Sequence, residues 1–349
     1  IPGEDKLRLM SESARGEGGR VWVPKIKGDK RHPSDIPEKE RWYFLEEKYP
    51  KYGNLVPRDV ATREIFQVCL DGYGVDTKMQ VYLDLTHKSA EELDRKLGGI
   101  LEIYEMFVGD DPRKTPMRVF PGMHYTMGGI WVDMKQMTNV DGIYAAGECD
   151  FSIHGANRLG ANSLVSCIYG GIVAGPEAVN YSKGLDRHLD DSDPLFESER
   201  KREEEINRKL MSKRGKQNPQ EIHEEMGKWM TENVTVIRYN NRLQETDNKL
   251  RELLERYEDI DINESNFWAT QSLPHARHLK NMLELARVVT LGALLRNESR
   301  GAHYKPEFPE RDDTNWLKTT IATYTPEGPE LSYLDVDTSL VQPRARKYN

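Results

Sequence analysis

Apolar residues recur at helical spacing in two stretches of the first 110 residues. RDVATREIFQVCLDGYG follows Pro57, and SAEELDRKLGGILEIYEMFVG begins with Ser89 and has Glu92 three residues later, which is a capping box. Between them, VYLDL alternates over residues 81–85 with the period of a strand. The pattern predicts two helices around a strand, behind a loop-rich start with a polar insert at 25–40.

Residues 117–147 change to short apolar runs separated by glycine, namely MRVFP, HYTMGGIWVD and VDGIYAAGE. These runs predict the strands of a mixed or α/β sheet domain. A helix is expected over about 163–180, although Gly170, Gly171 and Gly175 lie inside it. Because a glycine in a helix costs about 1 kcal/mol relative to alanine, we expect a neighbour that packs closely against these positions.

From residue 195 onward the chain is charged and periodic. The pattern predicts three long antiparallel helices, in LFESERKREEEINRKLMSK, PQEIHEEMGKWMTENVTVIRYNNRLQETDNKLRELLERYEDI and PHARHLKNMLELARVVTLGALLRNESRG. This block has no site signature, which favours a scaffold or docking role. Residues 301–349 are expected to form an extended tail that lies on a neighbour.

Composition narrows the class of protein. The 349 residues, 37% of them hydrophobic and 31% charged, with a net charge of −8, fit a soluble globular protein of two or more domains without nucleic-acid partners. No run approaches the roughly 20 apolar residues of a membrane span. Three distant cysteines without a CxxC pair favour a reducing compartment, and no metal site is predicted. Because the first residue is Ile1, we expect a processed or truncated sequence.

Two N-terminal motifs contain candidate chemistry. In SESARGEGG, Glu12 and Arg15 are three residues apart, so a helical turn would bring them together, although a surface salt bridge is the simpler explanation of an isolated ExxR motif. In NLVPRDVATREI, Arg58 follows Pro57 at the start of a predicted helix. A cation is unfavourable at that end of a helix, which indicates a role for Arg58 outside the helix.

Glycine-rich segments contain the other candidates. PGMHYTMGGIWVD includes His124, although a lone His is more often a core residue. In YAAGECD, a short apolar strand is expected to run into Gly147 and Glu148, which resembles the end of a nucleotide-binding strand. In FSIHGANRLGANSLVSC, His154 and Arg158 precede a helix that starts near Asn162. A helix start attracts anions, whereas an ordinary glycine-rich connection explains the turn equally well.

The candidates have a consistent chemistry when they are taken together. Arg58, Arg158 and either His124 or His154 suit a small dianion, because arginine binds carboxylates bidentately. The pair of a carboxylate and an arginine in SESARGEGG offers a path for a proton. These residues therefore indicate a site for an anionic substrate beside a nucleotide cofactor.

Six motifs occur in the order in which they are found in the flavoprotein subunit of succinate dehydrogenase and fumarate reductase, which the sequence therefore resembles: RGEGG, PRDVATR, HYTMGG, AAGE, HGANRLGANSL and ESRGAHYKPEFPERDD. LRLMSESARGEGGRVW and KYGNLVPRDVATREIF resemble most the menaquinone-linked bacterial type. The resemblance implies an FAD enzyme that interconverts succinate and fumarate. A hydride passes between a substrate carbon and flavin N5, and a proton is exchanged at the neighbouring carbon. It also implies an α/β and α+β fold in four parts: a capping domain over 1–120, the returning part of a split FAD-binding domain over 121–183, a helical domain over 184–300 and a C-terminal segment over 301–349.

By motif position, the resemblance also implies the roles of single residues. Arg58 is the proton donor or acceptor, and Glu12 and Arg15 relay the proton. The substrate carboxylates are assigned to Ser11, His124 and Arg158. Five residues are assigned to the cofactor, namely Glu148, Asn162, Ser163, Leu164 and Tyr125. Of these, Glu148 binds the ribose of FAD. The start of the predicted helix is expected to stabilise the anionic reduced flavin.

Other functions remain open at this point. The same site serves fumarate reduction, and L-aspartate oxidase shares the HGANRL-type segment, although HYKPEFPERDD and the long tail favour the first family. The GxGxxG loop of the family does not occur in this sequence, so the chain alone is expected to bind FAD poorly, and a non-catalytic fragment or docking module is the alternative of another class. The family implies an iron–sulfur subunit and a cytochrome b-type membrane anchor as partners, at the cytoplasmic face of the membrane.

Overall fold

The computed structural model describes residues 10–77, 79–151, 153–160, 162–186, 189–264, 268 and 270–344. The chain divides into two compact units. The N-terminal unit is Ile1–Tyr125 together with Gln342–Asn349, and the C-terminal unit is Thr126–Val341. Each unit has its own hydrophobic core, so each is described separately.

A four-stranded antiparallel sheet in the order β2-β1-β3-β4 forms the base of the N-terminal unit. Its strands are β1 Arg20–Pro24, β2 Arg41–Trp42, β3 Val81–Asp84 and β4 Met117–Val119. The predicted strand at 81–85 is β3, and all four of its residues are buried because side chains cover both faces of the sheet. Asp84 is buried at one end of β3, where its carboxylate accepts hydrogen bonds from Trp22 Nε1 at 3.1 Å and Arg41 Nη1 at 3.0 Å.

Both predicted helices of this unit are present. The helices are α1 Ser13–Gly16, α2 Phe44–Lys48, α3 Arg58–Val68 and α4 Ala90–Val108. Short 3-10 turns occur at Pro33–Asp35, Glu38–Glu40, Gly53–Leu55 and Val75–Thr77, and a π turn at Cys69–Tyr73 extends α3. The predicted cap of α4 is confirmed by Ser89, whose hydroxyl accepts from the Glu92 backbone N–H at 3.3 Å. The helices pack their apolar faces on the sheet in a core that includes Phe44, Leu83, Leu97, Leu101, Tyr104 and Met117.

The strands predicted over 117–147 are mostly wrong. MRV forms β4 in the sheet of the N-terminal unit, whereas HYTMGGIWVD and VDGIYAAGE make the isolated bridges Ile130↔Asp150 and Met137↔Tyr144. Gly128 and Gly142 adopt φ values of 100° and 82°, so the backbone turns before a ladder can extend. In these two runs, the segments between the glycines form turns and not strands.

The helix predicted over 163–180 is α5, Asn162–Lys183. Gly170 has the expected close neighbour, because a Cβ added there would lie 3.1 Å from the Cβ of Ala146. At Gly171 and Gly175, an added Cβ would meet no described atom within 4 Å, so the prediction is wrong for these two positions.

The charged block contains four long helices among the residues described, and not the three predicted. They are α6 Pro194–Ser212, α7 Pro219–Met230, α8 Asn240–Tyr257 and α9 Ser272–Leu295. A π turn at Thr231–Thr235 separates α7 from α8 within the second predicted helix. The β-branched residues of TVI disfavour a straight helix there, and the buried Asn233 amide donates to Thr246 Oγ1 at 3.1 Å. The core of this bundle includes Ile222, Leu250, Leu253, Leu279 and Leu283.

The C-terminal residues do not form the extended tail that was predicted. After the short helix α10 Asp313–Trp316, strands β5 Lys318–Thr323 and β6 Glu330–Asp335 form an antiparallel hairpin. The chain reverses before β6 through a turn in which Gly328 has a φ of 130°. Within the described ranges, every helix is too short or too polar to cross a bilayer.

Candidate functional site

One carboxylate joins the three predicted proton-transfer residues in the N-terminal unit. Oε1 of Glu12 accepts a hydrogen bond from Arg15 Nη2, and Oε2 of Glu12 pairs with Arg58 Nε. Glu12 is the N-cap of the one-turn helix α1, Arg15 lies within that helix, and Arg58 is the first residue of α3. The structure therefore brings together Glu12, Arg15 and Arg58, which are 46 positions apart at their extremes.

Arg15 is fixed from its other side by the backbone. Its Nη1 donates to the carbonyl of Val56 at 2.8 Å and also to the carbonyl of Asn54. The Asn54 side chain holds the same loop in place, since its Oδ1 accepts from the Val21 N–H at 2.8 Å and its Nδ2 donates to Glu46 at 2.6 Å. Arg15 thus ties α1 to the loop that leads into Arg58.

Sequence reasoning missed Asn54 and Val56. Both act on Arg15 through backbone carbonyls, which every residue type possesses, so no side-chain pattern marks them. The one available signal is NLVP, because the proline ends this loop at the start of α3.

Exposure falls along this cluster. The side chain of Arg58 is 44% exposed, that of Glu12 33% and that of Arg15 13%. Arg58 thus combines access to a ligand with a bond to a carboxylate, and Arg15 supplies a largely buried anchor for that carboxylate. The pairing with Glu12 also compensates for the unfavourable position of a cation at a helix start, as the sequence indicated. The cluster has one negative and two positive groups, which suits an anionic ligand.

The remaining predicted residues of this unit lie in irregular segments. Ser11 is exposed, and its hydroxyl donates to Ser13 Oγ at 3.0 Å and accepts from the Ser13 N–H at 3.2 Å. His124 is exposed and Tyr125 is buried, in a segment without regular structure.

In the C-terminal unit, Glu148 follows a tight turn and not the end of a strand. Gly147 has a φ of 91°, and its N–H donates to the buried Asp150 carboxylate at 3.1 Å. Glu148 is exposed, and its Oε1 accepts from the Thr126 backbone N–H at 2.8 Å. An exposed carboxylate fixed in this way is a suitable acceptor for the hydroxyls of a ribose.

Arg158 lies in the turn His154–Leu159, which we call the HGANRL turn. Its side chain is largely buried, and Nη1 donates to the carbonyl of Leu159 at 2.9 Å. His154 connects this turn to α5, because its Nε2 lies 3.1 Å from Ser166 Oγ, and that hydroxyl donates to the Ser163 carbonyl at 2.8 Å. The hydroxyl therefore accepts from His154, which makes His154 a support for the turn.

The start of α5 has the properties of an anion-binding helix end. Its first turn contains Asn162, Ser163 and Leu164 and has no acidic side chain to neutralise the free N–H groups. Leu164 is 74% exposed, so an apolar surface lies directly beside this positive potential. The combination fits FAD, whose ring is apolar and becomes negatively charged on reduction.

Comparisons with known proteins identify relatives of this chain. The family model of the FAD binding domain matches residues 2–164, and that of the fumarate reductase flavoprotein C-terminus matches residues 223–348. The chain is 58% identical over its full length to the succinate dehydrogenase flavoprotein subunit of Bacillus subtilis, and 36% identical over 97% of its length to the fumarate reductase flavoprotein subunit of a Serratia species. It spans 58% and 57% of the lengths of these two relatives.

Solved structures give the same result. A quinol fumarate reductase structure from E. coli matches with a TM-score of 0.82 and 32% identity, over 97% of this chain and 57% of that chain. A mixed α and β architecture, as the sequence predicted, is thus shared with this flavoprotein fold.

Proposed function

Since the chain belongs to the flavoprotein family of succinate dehydrogenases and fumarate reductases, we propose that it forms part of the catalytic flavoprotein subunit of a succinate:quinone oxidoreductase. The reaction is the oxidation of succinate to fumarate. The observation that carries the proposal is the carboxylate of Glu12, which is bonded to Arg15 on one side and to Arg58 on the other.

Arg58 exchanges the substrate proton in this proposal. A guanidinium holds its proton very tightly, so Arg58 acts as a base only if a neighbour accepts its proton for a short time. Glu12 is bonded to Arg58 and is the group that can do so. Arg58 then takes a proton from a methylene carbon of succinate. The proton held by Glu12 moves to Arg15 as Arg15 releases one of its own protons to solvent, to which its side chain is still 13% exposed.

The substrate carboxylates are bound by Arg158, His124 and Ser11. Arg158 is the strongest of the three candidates, because a largely buried guanidinium binds a carboxylate bidentately in a low-dielectric setting. Ser11 and His124 are exposed and add hydrogen-bond donors.

FAD, when bound, supplies the acceptor for the hydride that leaves the neighbouring carbon of succinate. Glu148 would hold its ribose, and the start of α5 at Asn162, Ser163 and Leu164 would stabilise its negative charge, with Tyr125 as a further contact. These assignments are supported by the exposed, anchored carboxylate of Glu148 and by the acid-free first turn of α5.

Fumarate reduction is the second candidate function, because relatives of both names match the chain and one site can serve both directions. The proposal includes an iron–sulfur subunit that takes the electrons, a membrane anchor that is contacted through that subunit, and a location at the cytoplasmic face of the membrane. It is supported by relatives that are named as subunits of such enzymes.

The test is a substrate comparison on the complete protein, produced with its partner subunits. Succinate would be assayed with an artificial electron acceptor, fumarate with a reduced viologen dye and L-aspartate with oxygen. We expect turnover of succinate and fumarate and no oxidation of L-aspartate. Oxidation of aspartate without turnover of succinate would support an L-aspartate oxidase, and a complete protein without a flavin absorbance spectrum would support a docking module.

A further inference from the structure

A second loop of the C-terminal unit contacts the HGANRL turn. The loop is Ser299–Lys305, which we call the SRGAHYK loop, and it follows α9. The backbone N–H of Ala302 donates to the carbonyl of Ala156 at 2.9 Å. Ala156 lies two residues before Arg158, so this bond fixes the backbone immediately before the proposed substrate-binding side chain.

Gly301 makes this close approach possible. A Cβ at this position would lie 2.5 Å from the carbonyl oxygen of Ala156 and 2.9 Å from the Cβ of Asn157, distances that atoms do not tolerate. Gly301 also has a φ of 58°, a conformation that disfavours residues with a side chain. Any larger residue must therefore displace the backbone of Ala156 and Asn157.

The SRGAHYK loop is held from the inside by its own side chains. The Ser299 hydroxyl donates to the Phe308 carbonyl at 2.8 Å and accepts from the Lys305 N–H at 2.9 Å. The backbone groups of Arg300 and His303 bond to each other at 2.8 and 3.0 Å, which closes the turn around Gly301.

The same loop is anchored to the C-terminal end of α9. Lys305 is fully buried, and its Nζ donates to the carbonyl of Leu294 at 2.8 Å and to Asn297 Oδ1 at 3.1 Å. The buried carboxylate of Glu298 accepts from Arg296 at 2.7 Å and from Arg300 at 2.8 and 2.9 Å. A rigid helix of 24 residues thus supports the loop.

We propose that Gly301 and Ala302 are positioning residues for substrate binding, which place Arg158 by holding the backbone of Ala156 and Asn157. This inference rests on the proposed function, because Arg158 is taken as a ligand of a substrate carboxylate. The bidentate geometry of an arginine and a carboxylate is lost with a small displacement of either partner. A shift of the HGANRL turn therefore weakens dicarboxylate binding without removing any group that contacts the substrate.

The test uses Gly301→Ala in the complete protein with its partner subunits. We expect the KM for succinate to rise about tenfold or more, with a smaller change in kcat and a normal FAD content, because loss of ground-state binding acts on KM. The dissociation constant of the dicarboxylate inhibitor malonate, read from the flavin difference spectrum, should rise in parallel. The matched control is Gly292→Ala in α9, where the nearest atom to an added Cβ is 4.0 Å away, and it should leave both constants unchanged.

A second variant keeps the inference testable if Gly301→Ala does not accumulate. Ser299→Ala removes the hydroxyl that braces the loop without introducing a clash, and it should raise the KM and the malonate dissociation constant by a smaller factor. Values within twofold of wild type in every variant that accumulates with FAD overturn the inference. A wild-type protein that neither turns over succinate nor binds malonate instead overturns the proposed function, and the inference with it.

Discussion

At the scale of single residues, the N-terminal cluster depends on a carboxylate that faces two guanidinium groups. Glu12 bonds to Arg58 through one oxygen and to Arg15 through the other, so the two arginines share one negative charge. Arg58 is the more exposed of the two and the only member at the start of a helix longer than one turn. Substitution of Arg58 is therefore the most direct test of the proton-transfer proposal.

We predict that Arg58→Lys in the complete protein lowers kcat for succinate by at least about a hundredfold, the usual range for loss of a proton-transfer group. Lysine keeps the charge but lacks the planar fork that reaches Glu12 while it faces a substrate. FAD content should be normal, since Arg58 is not assigned to the cofactor. Steady-state kinetics and the flavin absorbance spectrum measure the two effects.

The matched control is Arg63→Lys, five positions along the same helix. Arg63 pairs with Asp59 at 3.4 Å and has no role in the proposed chemistry, so turnover should stay near that of wild type. Near-normal turnover of Arg58→Lys would remove Arg58 from the proton path, and equal losses in both variants would indicate damage to α3.

At this scale, the sequence predicted the residues of the cluster that contact one another through their side chains. Glu12, Arg15 and Arg58 could be selected together from their motifs, and the structure places them in contact. The carbonyls of Asn54 and Val56, and the approach of Gly301 to Ala156, could not be predicted, because they are backbone contacts between distant segments. The roles of the proton-transfer, substrate-binding and cofactor-binding residues all stay predictions.

At the scale of elements, the partly buried His303 connects the end of α9 to the turn before α8. Arg238 Nη1 can only donate, so His303 Nδ1 accepts, and His303 Nε2–H donates to the Arg296 carbonyl at 3.0 Å. This arrangement fixes His303 in its neutral form. Burial, and then the positive charges of Arg238, Lys305 and Arg296, lower the pKa of His303 from 6.5 to about 3.

We predict that this pKa shift makes the protein less stable in mild acid. Below pH 6.5 the unfolded state takes up a proton at His303, whereas the folded state does so only near pH 3, so the free energy of unfolding falls as the pH decreases through this window. Between pH 7 and pH 5 the loss attributable to His303 should be about 1–2 kcal/mol. Arg238 and Lys305, whose pKa values are about 10 and about 8, stay mostly protonated over this range.

Urea denaturation of the complete protein and of His303→Gln at pH 7 and pH 5 measures this effect. Glutamine offers an acceptor and a donor but does not titrate, so its free energy of unfolding should fall less than that of wild type. His223→Gln is the control, since the ring of His223 on α7 lies 5.3 Å from that of His275 near the start of α9, and the network of His303 is at the end of that helix. An equal acid-dependent loss in wild type and His303→Gln would contradict the prediction.

Elements were predictable where a local pattern determines them. The cap of α4 at Ser89 and the strand β3 follow from spacing alone. The division of the predicted second long helix into α7 and α8 depends on Asn233 and its buried partner Thr246, and the hairpin of β5 and β6 depends on strand pairing. Contacts of this kind are set by tertiary packing, which periodicity does not record.

At the scale of the whole molecule, apolar surface is distributed unevenly between the helices. The buried residues of α5 are Ser166 and Gly170, whereas eight residues of α9 are buried. Large apolar side chains of α5 are exposed, among them Leu164, Ile168 and Ile172 at 74%, 61% and 67%. A helix that is apolar on most of its circumference is normally buried, and the matched relatives are longer than this chain. The domain boundaries predicted after residues 120, 183 and 300 stay predictions.

We therefore predict that the amides of α5 exchange hydrogen at least about a hundredfold faster than those of α8 and α9 in the 349-residue chain on its own. Opening of α5 exposes little additional apolar surface, so its local free energy of opening is small, whereas α8 and α9 pack on each other in the bundle core. In the complete protein with FAD bound, α5 should gain protection, because its apolar face is then covered. Hydrogen–deuterium exchange read by mass spectrometry compares the two samples, with α9 as the internal reference. Equal protection of α5 and α9 in the 349-residue chain would contradict the first part of the prediction, because α5 would then be stable without any such cover. Unchanged exchange of α5 in the complete protein would contradict the second part, because its apolar face would then remain open to solvent.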